Sequence, residues 1–533
     1  MPNPNSMADQ IDDFDRILVS NVHPQRWENP KPAGRYNLAV IGAGTAGLVA
    51  AAGAAALGGR VALIEKHLLG GDCLNMGCVP SKAIIRSARA ALEARTCSRF
   101  GIDRCDAEAD FGAVMARMRR LRSQISFHDS ALRFTDLGVD VFLGKALFSG
   151  TDSIQVGETR ILFGKALIAT GARAAVPQVE GLMEAGFFTN ETIFSLTERP
   201  PRLAIIGGGP LGCELAQAFH RLGSRVSLFQ RSDRLLDRED EDASRLLQDV
   251  FIREGIQVLL GSRLKRVSVA EEGKIVVYEQ SGRESSIIAD AVLAGVGRAP
   301  NVEGFGLEAA GVAYDLRRGV LVNDRLQTTN PNIYAAGDVC LPFKFTHTAD
   351  ASARIALQNA LFLGRKKLSS LVIPWVTYTD PEIAHVGMYE NEAERKQIKT
   401  ITFTEPLANV DRAVLDGETT GFLKILVRRG SDKILGATIV AKHAGEMVNE
   451  ISLAMAAGLG MKAIFGVVHP YPTQAEVIRR AADAYNRGRL TPIVKRLLSS
   501  WLYLGRSALF PAASKCIGGI RRILNHIAGT NQR

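Results

Sequence analysis

One pattern of apolar and polar positions occurs twice along this chain. A mostly apolar run at residues 36–41 leads into Gly42-Ala43-Gly44-Thr45-Ala46-Gly47, an alanine-rich stretch follows, and a second apolar run at residues 60–65 closes on Glu65. A short apolar run bounded by turn residues predicts a buried strand, and the alanine-rich stretch predicts a helix. The unit therefore reads strand, turn, helix, strand. Its second copy has a strand at 202–206, the loop Gly207-Gly208-Gly209-Pro210-Leu211-Gly212, a helix at 213–222 and a strand at 225–229. Near the C-terminus, Ile493, Leu497, Leu498, Trp501 and Leu502 stand at helical spacing with Lys495, Arg496 and Arg506 interspersed.

The glycines give these units their chemistry. Gly42 permits a tight turn, Gly44 lets the backbone approach a pyrophosphate, and Gly47 brings helix and strand together. Glu65 lies about 20 residues on, where a carboxylate accepts hydrogen bonds from an adenosine ribose. Two such fingerprints imply two dinucleotides. At the end of the second copy, Gln230, Arg231 and Ser232 stand where an NAD site places an acid. An arginine there neutralises a 2′-phosphate, which favours NADPH over NADH. The alternative is a solvated arginine, with Asp233 or Glu239 supplying the acid from farther along.

Composition bounds the rest. The 533 residues, 46% apolar, are enough for about three or four domains with their own cores. Seven scattered cysteines suit a reducing cytoplasm, where a disulfide is usually catalytic. Residues 1–35 are polar and proline-containing, unlike a signal peptide, and Met7 is an alternative start. The net charge of +10 falls to +3 once Lys495, Arg496, Arg506, Lys515, Arg521, Arg522 and Arg533 are set aside, and residues 490–533 contain no acid. No interleaving of aromatic and basic residues argues for nucleic acid.

Cys73 and Cys78 lie in Gly70-Gly71-Asp72-Cys73-Leu74-Asn75-Met76-Gly77-Cys78-Val79-Pro80-Ser81-Lys82. Residues five apart in a straight helix rise ~7.5 Å, beyond the usual disulfide span of ~4.4–6.8 Å, so part of the segment must be non-helical. Pro80 suits a first helical turn, which puts Cys78 at a helix N-terminus where a thiolate is favoured. Half of a zinc site and a pair of buried structural thiols are the alternatives. The other five cysteines, Cys97, Cys105, Cys213, Cys340 and Cys516, form no second close pair.

Three further motifs, Ala169-Thr170-Gly171-Ala172, Gly295-Val296-Gly297-Arg298-Ala299-Pro300-Asn301 and Ala335-Ala336-Gly337-Asp338-Val339, complete a resemblance over residues 36–490. The chain resembles the FAD-dependent pyridine nucleotide–disulfide oxidoreductases: dihydrolipoamide dehydrogenase, glutathione reductase and mercuric reductase. The resemblance implies an α/β fold with two Rossmann-like dinucleotide-binding domains, for FAD and NAD(P)H, plus an α+β C-terminal dimerisation domain. The implied order is an N-terminal arm (1–35) over the flavin domain, the FAD-binding domain in two parts (36–188 and 302–373) around the NAD(P)H-binding domain (189–301), a dimerisation domain (374–489) and a basic tail (490–533). FAD contacts then fall at Gly42, Gly44, Gly47, Glu65, Lys66, Lys82, Ala146, Thr170, Gly171 and Asp338. NADPH contacts fall at Gly207, Gly209, Gly212, Gln230, Arg231, Leu264 and Gly297. Cys78 becomes the flavin-side thiolate, Cys73 the interchange thiol, and Lys82 with Glu214 an ion pair beside the flavin.

The likeness fails at one place. Disulfide reductases of this family end in His-Pro-Thr and a later Glu, whereas this chain has His469-Pro470-Tyr471-Pro472-Thr473-Gln474-Ala475-Glu476. Aligning Glu476 puts Tyr471 where the proton-carrying histidine stands and leaves His469 two residues early. A phenol with a pKa near 10 is a poor base at neutral pH. Mercuric reductase has a tyrosine there too, but its C-terminal vicinal cysteines are represented only by Cys516. The expected enzyme, nearest to the mercuric reductase-like branch, is thus a cytoplasmic homodimer passing electrons from NADPH through FAD to the cysteine pair and on to a disulfide or metal-ion acceptor, without a resident metal, and with Tyr471 and Glu476 joining Cys73, Cys78, Lys82 and Glu214 as its catalytic residues. A lipoamide-type dehydrogenase is one alternative. A membrane-associated electron-transfer flavoprotein is another, with the tail as an amphipathic helix at a membrane surface.

Overall fold

The computed structural model describes residues 12–32, 34–103 and 108–505. Met7, Cys105, Cys516 and the tail cations Arg506, Lys515, Arg521, Arg522 and Arg533 lie outside the described residues. The chain divides into two compact units, one comprising 1–371 and 377–380, the other 372–376 and 381–533.

In the first unit, strand Arg35–Ile41 lies between Val61–Glu65 and Thr159–Ile168 and runs parallel to both, with Leu38 beside Val61 and Ile41 beside Ile64. Val139–Leu143 continues the sheet on one side, Ile333–Ala335 pairs with Thr159–Ile168, and an antiparallel meander of Ala146–Gly150 and Ser153–Val156 completes it. The neighbouring strands Arg35–Ile41 and Val61–Glu65 are covered on both faces over most of their length, which is why they read as apolar runs rather than as alternation. The second parallel sheet orders Gln257–Leu259, Arg225–Phe229, Arg202–Ile206 and Ala291–Ala294. A three-stranded meander, Ser262–Ala270, Gly273–Gln280 and Arg283–Ala289, follows it.

Both glycine loops lead into helices, Thr45–Ala56 and Pro210–Arg221. The second starts three residues earlier than its apolar pattern suggests, because Pro210 occupies the first helical turn, where its missing N–H costs nothing. A Cβ on Gly47 would collide with the carbonyl oxygen of Gly42, and one on Gly212 with that of Gly207, so glycine is what lets each helix close onto its strand.

The N-terminal arm contains an element the sequence pattern did not announce, helix Asp13–Val22, begun by the Asp12 side chain accepting from Asp15 N. It packs on helix Phe111–Ser126 through the ion pairs Asp12–Arg119 and Asp15–Arg122. Beyond it, Trp27 donates to the Val141 carbonyl at 3.0 Å, and Asn29 bonds both backbone groups of Leu143. The arm is thereby built onto the edge of the first sheet.

The second unit is a five-stranded sheet ordered Pro374–Thr377, Glu382–Gly387, Ile434–Ala441, Phe422–Arg428 and Thr400–Pro406. Helices Ala444–Ala456 and Glu476–Gly488 bury Met447, Val448, Ile451, Val477, Ile478 and Ala481 in its core. A last helix, Pro492–Gly505, follows.

Candidate active site

The cysteine segment is built as two helices with a break between them. Cys73 lies in the short helix Gly71–Asn75, and Cys78 opens the long helix Cys78–Arg95, with Met76 and Gly77 non-helical between them. Pro80 is in the first turn, as expected. A Cβ on Gly71 would come within 2.6 Å of Gly44 Cα, so this glycine brings the cysteine segment against the first glycine loop. The break is held in place from several directions. Asn75 donates to the carbonyls of Leu69 and Gly71 at 3.0 and 2.9 Å, Arg122 donates to the Asn75 carbonyl at 2.9 Å, and Asn190 reaches the Met76 carbonyl. Leu69 N bonds the carbonyl of Val22, so the arm supports the segment at both ends, directly here and through Asp15 and Arg122 there.

Both cysteines are thiols, and they differ in acidity. Cys78 is lowered to about 6, first because the Cys73 S–H donates to it; burial opposes this, the Thr346 hydroxyl and the Lys82 ammonium add to it, and Glu214 opposes it. Cys73, which keeps its proton, is pushed well above the ordinary thiol range. Thr346 Oγ1 lies 3.4 Å from Cys78 Sγ and is the first residue of helix Thr346–Leu361. Two helix N-termini thus converge on one sulfur, a setting that favours the anion. Cys78 keeps an exposed surface. In the reduced enzyme, the thiolate at Cys78 is expected to exist above about pH 6 and to be lost as the pH falls through that value. The alkylation rate of Cys78 by iodoacetamide should therefore rise through a midpoint near there and level off. Thr346→Val should move the midpoint upward; an unchanged midpoint would exclude the hydroxyl as a contributor.

One turn along the same helix, Lys82 Nζ pairs with Glu214 Oε2 at 2.7 Å and lies 4.4 Å from the centre of the Tyr378 ring. The other carboxylate oxygen accepts from Tyr378 N at 2.9 Å. Burial opposes the Lys82 ammonium, but Glu214 more than offsets this and the pKa of the lysine is raised. Lys82 and Glu214, expected as a pair from separate motifs, are thus brought together beside Cys78.

The nucleotide loops meet the chemical requirements of their expected ligands. The N-cap residues Gly44 and Gly209 provide no side-chain cap, so the amides that open each helix are available to a phosphate. Glu65 accepts from Ala43 N at 2.7 Å, and Gln230, its counterpart, accepts from Gly208 N at 2.9 Å. The second site thus presents a neutral amide, followed by the exposed Arg231, in place of an acid. Arg298 makes ion pairs with both Asp72 and Asp338, the latter at 3.4 Å. Burial raises Asp338, with Arg298 and Lys344 opposing. This cluster of Asp72, Arg298 and Asp338, with Asp72 on the helix that carries Cys73, offers both donors and acceptors, as the hydroxyls of a ribityl chain require. Thr170 bonds the Asn301 carbonyl, Gly171 follows it, and Gly297 lies in the turn before strand Arg298–Pro300. Ala146 is buried at the start of its strand, Leu264 lies in Ser262–Ala270, and Lys66 is exposed.

In the second unit, Tyr471 is 71% exposed and donates to Asp411 Oδ2 at 2.9 Å. This hydrogen bond raises the phenol's pKa, away from a base at neutral pH. His469 is turned aside, its Nε2 3.0 Å from Glu450 with only 5% of the side chain exposed. Glu476 pairs with Arg480 at 2.9 Å, and its Oε2 is buried without a hydrogen bond, consistent with a carboxylate whose histidine partner has been replaced. Sequence reasoning missed Thr346, Arg122, Tyr378 and Asp411. None of the four carries a chemical signal in the sequence around it.

Comparison with known proteins agrees with this geometry. The pyridine nucleotide-disulphide oxidoreductase family matches residues 36–355, and its dimerisation domain matches 373–482. The chain is 36% identical to mercuric reductase of Staphylococcus aureus over 454 residues, 85% of this chain and 83% of that one. It is 35% identical to dihydrolipoyl dehydrogenase of Chlamydia muridarum over 458 residues, 84% of this chain and 96% of that one. Among solved structures, the HOCl-induced flavoprotein disulfide reductase RclA from Escherichia coli aligns at 28% identity with a TM-score of 0.75, covering 84% of this chain and 99% of that one. With the family matched over most of its length, the chain belongs to the pyridine nucleotide-disulphide oxidoreductases and is an FAD-dependent NAD(P)H oxidoreductase.

Proposed function

We propose that the enzyme takes electrons from NADPH, stores them in the Cys73–Cys78 dithiol and delivers them to a thiophilic metal ion, for which Hg(II) is the suited probe. The observation that carries this reading is the Tyr471–Asp411 hydrogen bond, together with the withdrawal of His469 onto Glu450. A disulfide acceptor leaves as two thiolates that must be protonated, which is work for a base and acid near neutrality. A divalent ion held by two thiolates takes up an electron pair and no proton, so a site with Tyr471 in the histidine's place is sufficient for it. Relatives named mercuric reductase support the reading, as does the solved Cu(II) complex of RclA.

Bound FAD supplies the two-electron relay between nicotinamide and thiol. Around it, the loop that Gly42 and Gly47 shape would bring Gly44 and the helix-opening amides to the pyrophosphate, Glu65 would hold the ribose and Asp338 the ribityl hydroxyls. Gly207, Gly209 and Gly212 hold the second dinucleotide, and Gln230 with Arg231 accepts a 2′-phosphate. Lys82 and Glu214 fix the charge beside Cys78, Cys78 is kept as thiolate, and Cys73 meets the acceptor. The dimerisation domain supports a homodimer, in which Tyr471 of a second copy lies over Cys73.

A second reading, a small disulfide as acceptor, rests on the description of RclA as a disulfide reductase. One panel separates them: Hg(II), Cu(II), glutathione disulfide, lipoamide and a quinone, each with NADPH and with NADH. The metal ions with NADPH should be reduced fastest; faster lipoamide or glutathione turnover would install the second reading. Tyr471→His should raise disulfide reduction by about 10²-fold, the lower range for a placed acid–base group. No change on any acceptor would remove Tyr471 as the determinant.

A further inference from the structure

We infer that helix Pro492–Gly505 docks the enzyme on an anionic membrane surface. The helix lies beyond residue 482, where the dimerisation-domain match ends, and neither the redox site nor the sheet of the second unit accounts for its composition. At about 100° per residue, Ile493, Val494, Leu497, Leu498, Trp501 and Leu502 fall in one half of its circumference and Lys495, Arg496, Ser499 and Ser500 in the other. The apolar half is incompletely covered: Ile493, Leu497 and Leu502 are 71%, 55% and 64% exposed. Exposed apolar residues of this size on one helix face, backed by cations, fit the boundary between headgroups and acyl chains. No described helix is long and apolar enough to cross a membrane.

Charge selects this occupant over a second copy of the chain. Residues 490–533 carry seven cations and no acid, and the remainder of the chain is itself net positive, which favours an anionic lipid surface over another copy. Each cation near such a surface strengthens binding roughly fivefold.

The test is sedimentation of the full-length, FAD-loaded enzyme with phosphatidylcholine vesicles, with and without phosphatidylglycerol. Binding should require phosphatidylglycerol and weaken with added salt. Lys495→Glu combined with Arg496→Glu should reduce binding at least roughly tenfold, and Leu497→Glu should also abolish it, while FAD content, NADPH oxidation and oligomer mass stay unchanged. Failure of the wild-type enzyme to bind, or wild-type binding by Leu497→Glu, would overturn the inference. So would a fall in oligomer mass in Leu497→Glu, which would identify the helix as a subunit contact.

Discussion

Cys78→Ser is expected to lower NADPH-driven acceptor reduction by on the order of 10³-fold or more, the scale of loss when a covalent nucleophile is removed. The reason lies in what the protein builds around this one sulfur. The Cys73 S–H, the Thr346 hydroxyl, the Lys82 ammonium and two helix starts all favour an anion at this position. A serine hydroxyl ionises far above any pH these groups could bring it to, so the same surroundings are left without a thiolate to stabilise. Cys73→Ser should be equally inactive toward acceptors while keeping the ionised Cys78. The two variants are therefore distinguished by the long-wavelength absorbance that forms on NADPH addition, absent in Cys78→Ser and present in Cys73→Ser. A band that survives in Cys78→Ser would assign the flavin-side sulfur to the wrong residue. Retained acceptor reduction by Cys73→Ser would mean that electrons bypass the dithiol.

Glu214→Leu is expected to have the largest effect on stability, about 2–4 kcal/mol by chemical denaturation. Removing one partner of a buried pair generally costs about 3–5 kcal/mol, and the lower figure applies because 34% of the Lys82 side chain reaches solvent. The carboxylate at 6% exposure serves two groups, the Lys82 ammonium and Tyr378 N, and both lose their partner together. Adding Lys82→Met should recover much of the stability by removing the unpaired charge, but none of the turnover. Recovery of both would reduce the pair to a structural tie. A loss below about 0.5 kcal/mol for the single variant would mean that the pair behaves as a surface ion pair.

Local signals in the chain were enough for the framework. Apolar runs, glycines at fixed offsets and an acid or amide at the strand end marked both nucleotide loops, because turn, close approach and helix start are decided within a few residues. Cys78 was placed at its helix start by Pro80 for the same reason. What escaped was contact between distant segments: Thr346 meets Cys78 across 268 positions, and Tyr378 meets Glu214 across 164. No periodicity encodes such a meeting. The sequence put Tyr471 in the histidine's place, but the groups that hold the two side chains, Glu450 for His469 and Asp411 for Tyr471, lie outside the motif. The arm was read from its prolines, which drew attention from the helix at Asp13–Val22 preceding them.

That arm also bears on how the enzyme could be trimmed or recombined. The likeness to relatives begins at residue 36, yet Arg122, which holds the Asn75 carbonyl, is itself held by Asp15, and Leu69 hangs from Val22. A chimera joined at the first shared strand would inherit the dithiol and both nucleotide loops but lose the outer anchor of the segment between them. The natural seam for exchanging parts therefore lies upstream of Asp12, not where the family resemblance starts.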